Sequence, residues 1–207
     1  MTDSLFQRWR ALAGEGADQL GEALIAAYDE PHRRYHNQSH LFWLLDEADR
    51  RAAHIQEGKL IGFAIWFHDA IYQPGRSDNE ALSADWARRG LGRDPAFASR
   101  VAALVEKTKD HAAGEASPDE ALFLDMDIAI LGASRIDYCA YAAGIRAEYE
   151  RIPDEVFGAG RVAFLERQLA RSSIFRTELY EREIGESARA NMRWECGALR
   201  DCGMAPP

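Results

Sequence analysis

The sequence predicts an all-α protein, and three observations carry that expectation. Helix-forming residues dominate almost every stretch, apolar residues recur at three- and four-residue spacing, and no run of alternating β-branched residues is long enough for a strand. With 47% hydrophobic residues in a chain of 207, a single domain spanning 1–207 accounts for the protein and no second module is required.

Helices are expected over 4–28, 38–56, 58–72, 78–91, 95–110, 118–132, 134–150, 154–171 and 176–200. Pro31 ends the first. Asn37 or Ser39 caps the second, whose apolar run begins at Leu41. Gly58 opens the third, which reads as buried, and Pro74-Gly75 closes it. Gly92 with Pro95, Gly114 with Pro118, and Pro153 supply the later breaks. In the last helix Glu178, Arg182 and Glu186 follow one another at four-residue spacing, which suits a solvated face and a structural role. The closing DCGMAPP is expected to fray.

A net charge of −9 argues against a nucleic-acid polymer as partner, since neutralising a phosphate backbone requires surplus Lys and Arg. No apolar run approaches the roughly 20 residues that span a bilayer. The opening MTDSLFQRWR carries Trp and charge where a signal peptide is apolar, so no membrane partner and a cytoplasmic location are expected. Cys139, Cys196 and Cys202 are odd in number and lack CxxC spacing, which points to reduced thiols.

Chemistry concentrates in three segments. In Tyr35-His36-Asn37-Gln38-Ser39-His40, two imidazoles four residues apart stand at a loop–helix junction, where they can converge; by spacing alone such a pair is more often surface polar residues or a satisfied core contact. His68-Asp69 follows the apolar run from Leu60 to Phe67. Burying an ionised carboxylate costs several kcal/mol unless a partner or cation meets it. A metal ion is the economical answer there, and a structural Asp–Arg or Asp–His pair is the alternative. Asp125 and Asp127 interrupt a third apolar stretch. Two residues apart on a helix they point about 200° apart, so Asp127, between Met126 and Ile128, is expected inward and Asp125 toward water or a cap.

Together these segments resemble the HD superfamily of metal-dependent phosphohydrolases, marked by a His, a His-Asp doublet and a later Asp on separate helices. The order fits: His40, then His68-Asp69 after 27 residues, then Asp127 after 57 more. The resemblance covers about residues 28–132, with the helices over 134–200 packing on that core. It implies a bundle of eight or nine helices and a metal set of His40, His68, Asp69 and Asp127. YHNxxH, WFHDAIY, the Asp78-Asn79-Glu80-Ala-Leu-Ser83-Ala84 stretch and DxDIAILG are similar to a bacterial branch described as predicted HD phosphohydrolases. Tyr35 to His40 also resembles an element of cyclic-nucleotide phosphodiesterases, in which the second His binds metal and the first donates a proton. That implies a catalytic role for His36. The sequence lacks the full histidine set of the dinuclear members, which places a second tightly held ion in question.

Two imidazoles and two carboxylates suit Mn, Fe, Co, Ni or Zn, with Mg at lower affinity. Such an ion activates water and polarises a phosphoryl oxygen, and Asp69 can orient the attacking water. Substrate contacts are expected from Tyr35, Asn37, Arg33, Arg34, Arg76, Lys107 and His111, with Lys109 in the same cluster. Glu80 is expected to hold His40 or His68 in its tautomer. The leading reading is hydrolysis of a phosphate ester or anhydride of a nucleotide or small phosphorylated metabolite. A nucleotide-binding sensor that keeps the metal site is the alternative. Oxidative di-iron chemistry requires more histidines, and a helical interaction protein leaves the motifs accidental. The oligomeric state stays open, a homodimer included.

Overall fold

In the computed structural model, which describes residues 1–111 and 115–204, the segment expected as one helix over 4–28 is two: α1 (Thr2–Ala13) and α2 (Asp18–Ala27). Gly14 and Gly16 between them have φ of 78° and 87°, a region glycine enters at no steric cost. The break lets α2 fold back on α1. Trp9 of α1 is fully buried and its indole N–H donates to the Ala17 carbonyl at 2.8 Å. A Cβ at Gly21 would stand 2.2 Å from the Trp9 ring, so glycine there admits the indole.

The expected all-α class is what the structure has: ten α-helices and no strand among the described residues. The chain divides into two compact units, Met1–Asp127 and Ile128 onward. Every candidate site residue lies in the first.

In that unit α3 (Gln38–Arg50) starts at Asn37, whose side chain accepts from the Ser39 N–H at 2.9 Å, and it buries His40, Leu41, Leu44 and Leu45. α4 (Gly58–Phe67) is buried nearly throughout, from Leu60 to Phe67. Its first turn has no side-chain cap of its own. Asp119, 62 residues on in sequence, accepts from the Glu57 N–H at 2.6 Å and the Gln56 N–H at 3.0 Å instead. α4 ends at Phe67, earlier than the expected 72, and the chain turns at His68 to Tyr72. Two buried residues one turn apart on α5 (Asn79–Gly90) hold that turn. Ser83 Oγ accepts from the Ile71 N–H at 3.0 Å, while Asn79 exchanges hydrogen bonds of 3.1 and 3.0 Å with the Gln73 backbone. α6 (Pro95–Glu106) is capped by Asp94 and runs into a 3₁₀ turn over Lys107–Lys109. α7 (Pro118–Ile128) carries Asp119, Asp125 and Asp127. The expected break at Gly114 lies outside the described residues, as do the last three residues of the tail.

The second unit holds a 3₁₀ turn over Ala129–Gly132, then α8 (Arg135–Glu148), α9 (Asp154–Leu169) and α10 (Glu178–Asp201). Its interior contains an ion pair in which Arg161 donates to both Glu195 oxygens at 2.8 and 3.1 Å, and Tyr138 donates to Glu195 Oε2 at 2.5 Å. Each charge is therefore matched, the condition under which such a pair is tolerated in a core. The three cysteines form no disulfide. No helix among the described residues is long and apolar enough to cross a membrane.

Candidate metal centre

Three separate pieces of the first unit bring His40, His68, Asp69 and Asp127 together. Capping at Asn37 puts His40 in the first turn of α3, the end of α4 presents His68 and Asp69, and Asp127 lies one residue before the end of α7. One donor atom each from His40, His68 and Asp69 falls within 4.8 Å of the other two. His40 Nε2 and His68 Nε2 are 3.1 Å apart, and Asp69 Oδ2 is 3.1 Å from His68 Nε2 and 3.8 Å from His40 Nε2. Asp127 Oδ1 approaches the two imidazoles at 3.4 and 3.5 Å.

The spacings among His40, His68 and Asp69 fit a shared cation, with Asp127 Oδ1 beside the two imidazoles. Donors about 2.1 Å from an ion stand about 3.0 Å apart at a right angle and about 3.4 Å apart at the tetrahedral angle. The orientation of His68 fits as well. Its Nδ1 lies 2.8 Å from the Ile65 carbonyl, so Nδ1 carries the hydrogen and the neutral ring aims the Nε2 lone pair at the other donors. Tyr28, fully buried, adds its hydroxyl 3.4 Å from Nδ1 and accepts from the Asp69 N–H at 3.3 Å. The His40, His68 and Asp69 cluster can hold a metal ion.

Electrostatics make the same demand. Burial pushes the His40 imidazole down. Burial also opposes charge on His68, yet the carboxylates of Asp69 and Asp127 outweigh it and raise His68 to about 9. Against their own burial, Asp69 is held far below the usual carboxylate range by His68 and His36, and Asp127 by His68 with hydrogen bonds from His111 and His40. With Nδ1 committed to Ile65, the extra proton of His68 occupies Nε2, where an ion's charge would otherwise act.

A pH dependence follows for metal-free protein. The folded pKa of about 9 exceeds the unfolded value of about 6.5, so the contribution of His68 to stability is complete below pH 6.5 and is lost as pH rises through 9. The depressed carboxylates have the opposite sign, losing theirs as pH falls through the acid range. Chelator-treated protein should lose up to about 3 kcal/mol from this source between pH 6.5 and 9.5 in urea unfolding. Protein saturated with a divalent ion should keep it. Identical profiles would mean that no ion replaces the proton.

The other expected site residues divide. His36 lies beside the cluster, its ring 5.9 Å from that of His40 and 4.2 Å from that of Tyr72. Tyr35 packs 4.9 Å from the His40 ring. His111 reaches Asp127, with Nε2 2.7 Å from Oδ2. Asn37 serves as the cap of α3 and donates to the Arg34 carbonyl at 3.0 Å, a backbone role in place of the expected substrate contact. Arg34 is exposed at the surface.

Arg33 is corrected from substrate contact to scaffold. Its side chain is fully buried and donates to the carbonyls of Asp69 at 2.7 Å and of His36 and Ala70 at 3.1 Å, and to Glu30 at 3.0 Å. Four of its five N–H donors are thereby committed to protein acceptors. Arg76 forms a two-bond pair with Asp78 at 2.8 Å, Lys107 meets Glu120 at 2.8 Å, and Lys109 donates to the Ser77 carbonyl at 2.5 Å. Glu80 does not fix the His68 tautomer, because the Ile65 carbonyl does so. Of the two places expected for Asp125, water or a cap, its burial excludes water, while Asp127 is the carboxylate that reaches the imidazoles.

Comparison of the chain with protein-family models, with curated protein sequences and with solved structures finds no match.

Proposed function

We propose that this protein is a metal-dependent phosphohydrolase of the HD type, acting on a phosphate ester or anhydride of a nucleotide or small phosphorylated metabolite. The observation that carries the reading is the convergence of two imidazoles and two carboxylates, from three distant segments, at spacings of 3.1 to 3.8 Å. A divalent ion held there supplies a Lewis acid for the phosphoryl oxygen and for the attacking water. Mn, Fe, Co, Ni and Zn match the mixed N/O donors, and Mg matches them less well.

The protein's own groups supply the remainder. His40, His68, Asp69 and Asp127 hold the ion, and the carboxylate of Asp69 orients the water. His36, beside the ligands and against Tyr72, donates a proton to the leaving oxygen. With Arg33, Arg76, Lys107 and Lys109 engaged elsewhere, substrate charge falls mainly to the ion and to His36.

A metal-replete screen against nucleoside mono-, di- and triphosphates, cyclic nucleotides and sugar phosphates tests the reading. Turnover of one class supports it, and binding without turnover under every metal favours a nucleotide sensor. For the acid, His36→Ala should keep the ion but lower kcat about 10² to 10⁴-fold on an alkyl phosphate. On p-nitrophenyl phosphate, whose leaving group hardly requires a proton, the loss should shrink. Equal slowing of both substrates would reassign His36 to structure.

A further inference from the structure

We propose that His111 is a positioning residue that confines Asp127 to one-oxygen coordination and so keeps a coordination position open at the centre. The inference rests on the metal-centre reading above. Asp127 divides its two oxygens: Oδ1 faces the imidazoles of His40 and His68 at 3.4 and 3.5 Å, while Oδ2 is held by His111 Nε2 at 2.7 Å. A carboxylate can chelate an ion through both oxygens, and the hydrogen bond on the second oxygen decides whether it does. A length of 2.7 Å lies in the range of charge-assisted bonds to an ionised carboxylate. The Asp127 side chain is only 11% exposed, so water competes poorly for Oδ2.

The segment carrying His111 is fastened for this role. Lys107, four residues earlier, ties it to Glu120 on α7, the helix that also carries Asp127. Lys109 ties it to the Ser77 carbonyl. At His111 the backbone leaves the helical track with φ of 51°, a region that non-glycine residues enter rarely and His more readily than most. A strained residue persists where its surroundings hold it. Among the described residues, the one cluster of three or more potential ligands is His40, His68 and Asp69, so His111 and Asp127 Oδ2 do not make a second site of that size.

The test uses Co(II), whose visible absorption weakens as its coordination number rises, with inorganic phosphate as the probe of the open position. Wild type, His111→Ala and His111→Gln are titrated with Co(II), and folding of each is checked by far-ultraviolet circular dichroism. Wild type should bind one equivalent with intense absorption that phosphate perturbs. His111→Ala should still bind one equivalent but absorb more weakly, and should require about 10 to 100-fold more phosphate for the same change. His111→Gln, with an amide N–H in reach of Oδ2, should recover the wild-type spectrum. An unchanged spectrum and phosphate response in His111→Ala overturns the proposal while leaving the metal centre standing. A second equivalent in wild type that His111→Ala loses also overturns it, since His111 would then be a ligand. If wild type takes up no Co(II), the metal-centre reading falls and this proposal with it.

Discussion

Asp69→Asn should give a folded protein that retains no stoichiometric divalent ion and turns over no phosphate substrate. The amide keeps the shape of the carboxylate but removes one of the two negative charges that raise His68 to about 9. It also replaces an anionic donor, 3.1 Å from His68 Nε2 and 3.8 Å from His40 Nε2, with a neutral one. An ion acting as Lewis acid contributes several kcal/mol to the barrier, so kcat should fall about 10³-fold or more. Metal analysis of dialysed protein and the initial rate on the best substrate of the screen check this together. His36→Ala, which spares the ion, is the control. A full equivalent of metal in Asp69→Asn would remove Asp69 from the ligand set.

Arg33→Ala should strongly destabilise the first unit. The guanidinium joins two stretches of chain distant in sequence, donating to the His36 carbonyl on one side and to those of Asp69 and Ala70 on the other. It also lies over the rings of Tyr28 and Tyr72, at 5.2 and 5.5 Å from their centroids. A buried acceptor left without a donor, as at Ala70, costs about 1–3 kcal/mol; the part-buried carbonyls of His36 and Asp69 cost less, and Glu30, at 40% exposed, stays hydrated. The sum, about 3–5 kcal/mol, is a large part of the 5–15 kcal/mol available to an ordinary domain. Urea midpoints at fixed metal measure it. Arg33→Lys retains the charge but only a fraction of the bonds, so its midpoint should fall between those of wild type and Arg33→Ala. A wild-type midpoint for Arg33→Ala would show that the carbonyls find other donors.

Arg33 also marks where sequence reasoning stops. A cation next to His36 reads as a phosphate contact, and its acceptors at Asp69 and Ala70 lie 36 and 37 residues away, beyond local pattern. Tyr28, whose hydroxyl meets His68 Nδ1 40 residues on, sits in a stretch that reads only as the end of an amphipathic helix. The grouping of His40, His68 and Asp69, with Asp127 beside the imidazoles, was legible for the opposite reason. Each places an imidazole or carboxylate in or beside an apolar run, and burial of such a group demands a partner. The split of the first helix was hidden because glycines at 14, 16 and 21 look alike in sequence. Gly14 and Gly16 are needed for positive φ, whereas Gly21 stays helical and serves Trp9. For Asp125 periodicity left water or a cap open, and the structure removes water: opposite faces of a helix need not mean one wet face.

The seat of Asp119 on the start of α4 turns α7 into a gauge. At one end of α4 the Asp119 carboxylate holds the N–H groups of Gln56 and Glu57; at the other, Asp127 meets His68. Eight residues of α7, about 12 Å, thus run alongside the ten residues of α4, about 15 Å, and set one carboxylate at each of its ends. One residue added or removed between those two aspartates would swing Asp127 about 100° around its axis while Asp119 stayed seated. The spacing of these two carboxylates thus decides whether Asp127 faces His68 at all.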